Sequence, residues 1–508
     1  MDVLLPDIIA QLDLSVADAS LVDAITVTVG GAFMVPAGKL GDLIAPKRVL
    51  LTGLIILVAA SLTTGTAIGL GTLMAGRIAQ GIALAMLLPT SIAMLNRDYP
   101  YGSLRTRAFA LFLGSTVAAV GLAPLIGAFI GEYGSWRWAL LANAPLAAIA
   151  IVGVYRFTPA VPPVASTRSF DAVGSLLLVV AMGLILFAIQ QGNRYGWLWS
   201  QQGIEFLGRP WTLAVSPIPV LLLLGATLLV AFVLIDRSRA QRQLDVVLDT
   251  RLFGVRSYVW GTIAVGMTAS ASLGALLVVS LYAEYILGAS PITAGMMAAP
   301  LGLAVVAAGP LSARLAQLPG KMVGLISTGT QLGAVLILIT GFSLEGMPLL
   351  IGVAMFLLGV SWIIGMSAVT SLVLADVPAS LGGQAVGVQT STRYLICGFA
   401  MVIMTTLLIT VTAFGVHKIS YTGLSGSDQA TLDAVERLKW PAVARVLKNA
   451  TNPTQREEFE RYDQALSATR KAMDEGMRSA AGVIALMLVI ALMLTARLPA
   501  RPAHTPTH

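Results

Sequence analysis

Residues 76–95 read GRIAQGIALAMLLPTSIAML, an apolar run of helix length with Arg77 and Gln80 close to its start. An arginine at the centre of a bilayer costs roughly 2.5 to 3.5 kcal/mol on insertion scales, and less towards a helix end, so in a spanning helix the position calls for a compensating contact or a function. Composition shows that the run is such a helix. Hydrophobic residues make up 56% of the chain and charged residues 11%, with a mean hydropathy of +0.84, whereas a soluble domain carries about 25% charged residues. The chain is an all-α polytopic membrane protein.

Working outward, runs long enough to cross about 30 Å at about 1.5 Å per residue lie near 19–37, 49–69, 73–95, 107–130, 138–157, 172–191, 212–235, 258–287, 292–316, 322–343, 348–375, 384–414 and 479–496. Ahead of these thirteen, MDVLLPDIIA is apolar but reaches only about 15 Å as a helix, and reads as the outer half of a fourteenth. It lacks the charged n-region and small-residue cleavage site of a signal peptide. The expectation is that the natural chain begins upstream of Met1.

Counting the fragment as the first helix sorts the short loops onto two sides. One side, with Lys39, Lys47, Arg48, Arg97, Arg105 and Arg107 among its residues, collects seventeen Lys and Arg; the other holds Arg137, Arg194 and Arg209. The positive-inside rule places the first side and the C-terminus in the cytoplasm of a cell whose inner (plasma) membrane the protein crosses. Residues 415–478, with ten basic and nine acidic side chains, read as a hydrophilic, helical loop outside, long enough to be exempt from that rule.

Several function classes drop out. The basic balance, 32 Lys and Arg against 25 Asp and Glu, orients loops in a membrane protein and does not signify nucleic acid. Cys397 is the single cysteine, and His417, His504 and His508 lie outside the apolar runs, so neither metal nor cofactor is expected. No H-E-x-x-H, G-x-S-x-G or phosphate-binding G-x-x-x-x-G-K-[ST] occurs, which argues against an enzyme and against ATP as the direct driver.

Three features carry chemistry, each with a structural reading beside the functional one. GKLGDLIAPKRVLL (38–51) sets Asp42, Lys47 and Arg48 in a very short turn; alone, these could be ordinary positive-inside residues with a helix-capping aspartate. A degenerate echo, GPLSARLAQLPGKMV (309–323), keeps Arg314 and Lys321, as a duplicated transporter would. GSTVAAVGLAPLIGAF (114–129) threads Gly121, Pro124 and Gly127 through one helix, suited to a surface that rocks against a neighbour or to static packing. Finally Asp23, Arg77, Glu284 and Arg393 fall within spans, with Asp2 and Asp7 as further candidates. Asp23 and Glu284 could instead snorkel to the outer interface, but Arg393 lies about 15 Å into its helix.

Together these motifs resemble the major facilitator superfamily, and within it the fourteen-helix drug:proton antiporter-2 family. GKLGDLIAPKRVLL is similar to the cytoplasmic gate motif G-x-L-x-D-R-x-G-R-R-x-x-L through Gly38, Leu40, Asp42 and Lys47, with Leu43, Ala45 and Pro46 where the family has arginine, glycine and arginine. Arg77, Gln80 and Gly81 match R-x-x-Q-G-x-G, and AVGLAPLIGA resembles the antiporter motif G-x-x-x-G-P-x-x-G-G, retaining Pro124 and Gly127. WRWALLANAP (136–145), FDAVGSLLL (170–178) and GQAVGVQTSTRYLICG (383–398) follow in the family's order.

The resemblance implies a bundle over 1–160, two extra helices with a cytoplasmic loop over 161–257, and a second bundle over 258–508, the two bundles rocking about a central cavity. Arg77 would face that cavity. Asp23, Arg77, Glu284 and Arg393 would form a proton-coupling charge relay, since a carboxylate beside a guanidinium gives up its proton and one moved into a desolvated pocket takes one. The implied activity is proton-driven efflux of amphipathic small molecules by a monomer whose partners are its substrates, protons and the bilayer. A dedicated exporter of a lipid, siderophore or metabolite is the alternative, with a membrane-embedded enzyme or a receptor behind it.

Overall fold

In the computed structural model the described residues are 5–14, 16–99, 103–159, 170–200, 205–206, 209–242, 244–287, 289–315, 317–343, 348–378, 381–420 and 453–499. Among them, thirteen helical segments are long and apolar enough to cross a membrane. The helices are α1 (Leu5–Leu12), α2 (Val16–Ile44), α3 (Pro46–Gly65), α4 (Leu70–Asp98), α5 (Ser103–Tyr133), α6 (Trp136–Leu141), α7 (Asn143–Phe157), α8 (Ala172–Tyr195) and α9 (Pro217–Gln241). They continue with α10 (Arg256–Leu281), α11 (Pro291–Leu303), α12 (Val305–Leu315), α13 (Gly320–Ser343), α14 (Pro348–Ala375), α15 (Gly382–Ser420) and α16 (Pro453–Ala496).

Local chemistry sets the ends. Asp171, Ser216 and Ser290 cap α8, α9 and α11 by accepting backbone N–H bonds, with Pro217 and Pro291 at the first helical position of the latter two; a hydroxyl or carboxylate there satisfies a donor the helix leaves open, and proline's missing N–H costs nothing. One residue, Ala45 at φ 90° and ψ 126°, makes the turn from α2 to α3. That is backbone suited to glycine, and it falls where the resembled motif carries glycine.

The helices divide into packed groups. α2, α3, α4 and α7 lie against one another, as do α10, α13, α14, α15 and α16. Two seams join the groups: α2 runs along α15, and α5 runs along α11, α12 and α14. The hairpin α8–α9 rests on α2 and α15 through α8. The turn between α8 and α9 holds a two-stranded ribbon, β1 (Glu205–Phe206) with β2 (Arg209–Pro210). Along α9 only Pro217, Ile218, Gly225, Phe232 and Asp236 are buried. Elsewhere Ile55, Leu146, Ile149 and Leu176 are exposed, and so much bare apolar surface is stable only against lipid.

Several sequence expectations change in detail. The N-terminal fragment is α1, and its Ile8 packs with Val22, Ala67, Leu73 and Trp136, while Gln11 accepts from the Trp136 indole at 2.9 Å. The span at 138–157 is two helices meeting at Ala142, and the span at 292–316 is α11 and α12 meeting at Ala304. Residues 453–478, read as loop, form one continuous helix with the final span, and α15 extends through Ser420; residues 421–452 lie outside the described residues.

Candidate functional site

The seam between α2 and α15 is closed at the end that carries the basic loops. Gly38 lies so near α15 that a Cβ there would sit 2.3 Å from the Gly383 carbonyl oxygen, and a Cβ on Gly387 would sit 2.7 Å from the Met34 carbonyl. Bare backbone on both helices permits this approach. Asp42 uses it: its carboxylate accepts from the Gly383 amide at 3.0 Å and the Gln384 amide at 3.1 Å. These are first-turn donors of α15, where open N–H groups and the positive end of the helix dipole favour an anion. A side chain of one group therefore caps a helix of the other.

Gln384 extends the contact. Its Oε1 accepts from the Asp249 amide at 3.1 Å, and Asp249 holds Arg251 through both carboxylate oxygens. Asp236 on α9 accepts from the Val247 amide at 3.0 Å, so the segment between α9 and α10 is tied to α9 and to α15. Lys39 is buried one turn before Asp42 and lies within electrostatic range of both Asp42 and Asp236. On the other seam, Arg105 at the start of α5 donates to the Ser371 carbonyl of α14 at 3.1 Å and to Asn96. Gln384 and Asp249 were not singled out from the sequence, and Arg105 was counted there only among the basic loop residues. Gln384 stands in the quoted GQAVG run, yet its partners come from positions far away in the chain.

Lys47 and Arg48 do not join this contact. Lys47 donates to the Tyr155 and Thr158 carbonyls at 3.1 and 2.5 Å, closing the C-terminal end of α7 within its own group, and Arg48 is exposed. The gate motif thus splits: Gly38 and Asp42 face the partner group, while Lys47 staples the turn.

Arg77 is buried among α2, α3 and α4. Its Nη1 donates to Gln80 Oε1 at 3.1 Å, Gln80 Nε2 donates to Thr64 Oγ1 at 3.3 Å, and Thr26 Oγ1 donates to the Arg77 carbonyl at 3.2 Å. A Cβ on Gly81 would sit 2.8 Å from the Thr26 carbonyl, so glycine there lets α2 and α4 touch. Thr26 fixes the register, placing Asp23 one turn away on α2. The side chains of Asp23 and Glu284 lie outside the described residues, as does Asp2; the backbone at Glu284 is a π-helical turn, Tyr282–Ile286.

On α5, a Cβ on Gly121 would meet the Gly302 amide nitrogen of α11 at 2.3 Å, and one on Gly295 would meet Leu125 Cα at 2.7 Å. Gly127 has nothing within 4 Å of its Cβ position. Six residues turn a helix by about 240°, so Gly121 and Gly127 cannot share a face, and the structure puts only the first in the seam.

Between the seams lies a cavity of about 730 Å³ walled by α2, α4, α5, α8, α10, α14 and α15. Arg393 and Cys397 of α15 line it, with Trp362 and Met366 of α14. Arg77 does not. Leu84, Leu88 and Ile92 of α4 line the cavity, and Leu84 and Leu88 follow Arg77 by seven and eleven residues, so Arg77 shares their stripe but lies two turns nearer the helix start, where α2 and α3 cover it. The inserted helix α8 contributes Leu186, Gln190, Gln191 and Asn193, a wall the sequence reading did not anticipate.

Comparison with known proteins accords with this architecture. Over 88% of this chain and 74% of the relative, the sequence is 27% identical to the uncharacterized MFS-type transporter Rv1250 of Mycobacterium tuberculosis. It is 31% identical to the puromycin resistance protein pur8 of Streptomyces alboniger over 62% of this chain, spanning about 58% of that relative's length. The solved structure of the human organic anion transporter MFSD10 (TETRAN) shares the fold with a TM-score of 0.55 over 97% of this chain and 88% of its own, at 11% identity. The profile described as Major Facilitator Superfamily matches residues 2–401, and with two helix groups meeting along paired glycine seams around a central cavity, the chain belongs to the Major Facilitator Superfamily.

Proposed function

We propose that this protein is a secondary active exporter of amphipathic small molecules, working by alternating access across the plasma membrane with the basic end in the cytoplasm. The observation that carries this reading is the cavity between the two helix groups, sealed at the basic end by Asp42 on the α15 N-terminus. Opening that end requires α2 to leave α15, which exposes two amides and a carboxylate to water that rehydrates them, so closed and open forms can lie close in energy. Relatives named for resistance to a drug support export as the direction.

Proton entry is the proposed driver. Arg77 supplies a buried cation on α4, whose backbone touches α2 at Thr26, one turn from Asp23, and a carboxylate within its reach would exchange its proton as α2 and α4 shift, because contact with a guanidinium lowers its affinity for protons and separation restores it. The test is flux of a panel of dyes and drugs in proteoliposomes with an imposed pH gradient. Movement that needs the gradient supports the reading, and movement indifferent to it removes proton coupling.

A further inference from the structure

The cavity walls are largely apolar, with Leu113, Val117 and Leu273 among them, but the junction of α14 and α15 differs. Arg393 has one hydrogen-bonding contact among the described residues, from Nη1 to the Met366 sulfur at 3.8 Å, and a thioether is a weak acceptor. None of the carboxylates that form ion pairs among the described residues pairs with it. Trp362 stands four residues before Met366 and so on the same face of α14. Its Nε1 is buried without a hydrogen-bond partner among the described residues. Guanidinium and indole both donate and neither accepts. Arg393 and Trp362 thus line one largely apolar chamber, both as donors, and among the described residues neither has a strong acceptor; beside a guanidinium an anionic acceptor forms the stronger bond.

We infer that the cavity selects amphipathic organic anions, with the apolar body against the leucine and valine wall and one acidic group on Arg393 and the Trp362 N–H. This rests on the reading above that the cavity is the transport site, and it narrows the substrate class of that site. A cation of the same shape meets the Arg393 guanidinium and is disfavoured.

Three probes with one apolar body separate the possibilities: 1-naphthaleneacetate, its neutral amide and 1-naphthylmethylamine, each measured for binding to the purified full chain and for flux in proteoliposomes. The carboxylate is expected to bind about tenfold more tightly than the amine, a difference of about 1.4 kcal/mol. Arg393→Gln should erase that preference and Arg393→Glu reverse it. Trp362→Phe, which keeps an aromatic ring and loses only the N–H, should weaken the carboxylate about three- to tenfold relative to the amide, and it serves as the test should the arginine variants fail to give monodisperse protein. Equal or tighter amine binding, no binding of any probe, or a carboxylate preference untouched in Arg393→Gln would overturn the inference. Carboxylate binding without flux of any probe would uphold it while removing the exporter reading. Gradient-driven flux of the amine alone would do the reverse.

Discussion

Gln384 donates its backbone N–H to Asp42 at 3.1 Å, across the seam between α15 and α2. The bond exists only while the basic end is closed, so its strength enters the balance between the two access states directly. Removing such a cap costs about 0.5 to 2 kcal/mol, and about 1.4 kcal/mol is a tenfold change in population. Asp42→Ala is therefore expected to shift the equilibrium about tenfold towards the form open at the basic end. Spin labels on exposed Arg48 and Arg256, replaced by cysteine in a Cys397→Ser background, would report a longer interlabel distance; an unchanged distribution would show that the cap does not hold the gate.

Gln384→Ala leaves that backbone bond intact and removes only the side-chain acceptor for the Asp249 amide. Its expected effect is on the segment between α9 and α10. Hydrogen exchange at residues 244–250 should rise by about tenfold, the loss of one buried bond of about 1 kcal/mol or somewhat more, while the 48–256 label distance moves less than in Asp42→Ala.

Gly121→Ala and Gly127→Ala form a matched pair. The first drives a methyl into the Gly302 backbone, where no flexible side chain can yield, and should cost about 1 to 3 kcal/mol and abolish flux. The second enters open space and should leave thermal stability within about 0.5 kcal/mol. Equal behaviour of the two would refute the placement of Gly121 in the seam.

Arg77→Ala should insert in the membrane, since it removes a charge that is costly to bury, yet lose gradient-driven flux. Arg77→Lys should also be impaired, because lysine lacks the planar fork that can hold a carboxylate with two parallel hydrogen bonds. Asp23→Asn is expected to exchange substrate without a gradient and to lose uphill transport. Normal efflux by well-expressed Arg77→Ala would return Arg77 to a packing role.

Ala45→Gly should raise the unfolding temperature. A non-glycine residue at φ 90° and ψ 126° stores about 1 to 3 kcal/mol, and the greater freedom of glycine in the unfolded chain takes back about 0.5 to 1 kcal/mol. A lower unfolding temperature for the variant would mean that the turn is not strained.

The spans were legible in the sequence because bilayer thickness imposes a length and a composition on each of them, and the paired motifs pointed to two related halves. What escaped was set by tertiary neighbours. That α11 and α12 meet at Ala304 depends on how the chain packs against α5, and Pro300 alone does not specify it. Asp42 was legible as a charge in a turn, but its partners, Gly383 and Gln384, lie 341 and 342 residues away. Gly127 stands at a glycine position of the resembled motif and Gly121 does not, yet only Gly121 lies in the seam; helical periodicity separates the two faces without saying which one is covered. Trp362 and Gln190 carried no signal, since an isolated aromatic or amide in an apolar run does not declare which face meets a cavity.

The wall contributed by α8 has a consequence for how such a protein can diverge. Gln190, Gln191 and Asn193 line the cavity, but Gln190 also donates to Thr28 of α2 at 2.8 Å and Asn193 accepts from Thr406 of α15 at 2.9 Å, so α8 holds both sides of that seam. Substitutions at Gln190 or Asn193 that retune what the chamber accepts also act on the joint between the moving groups. A lineage that explores new ligands through α8 alters, in the same step, the machinery that carries them.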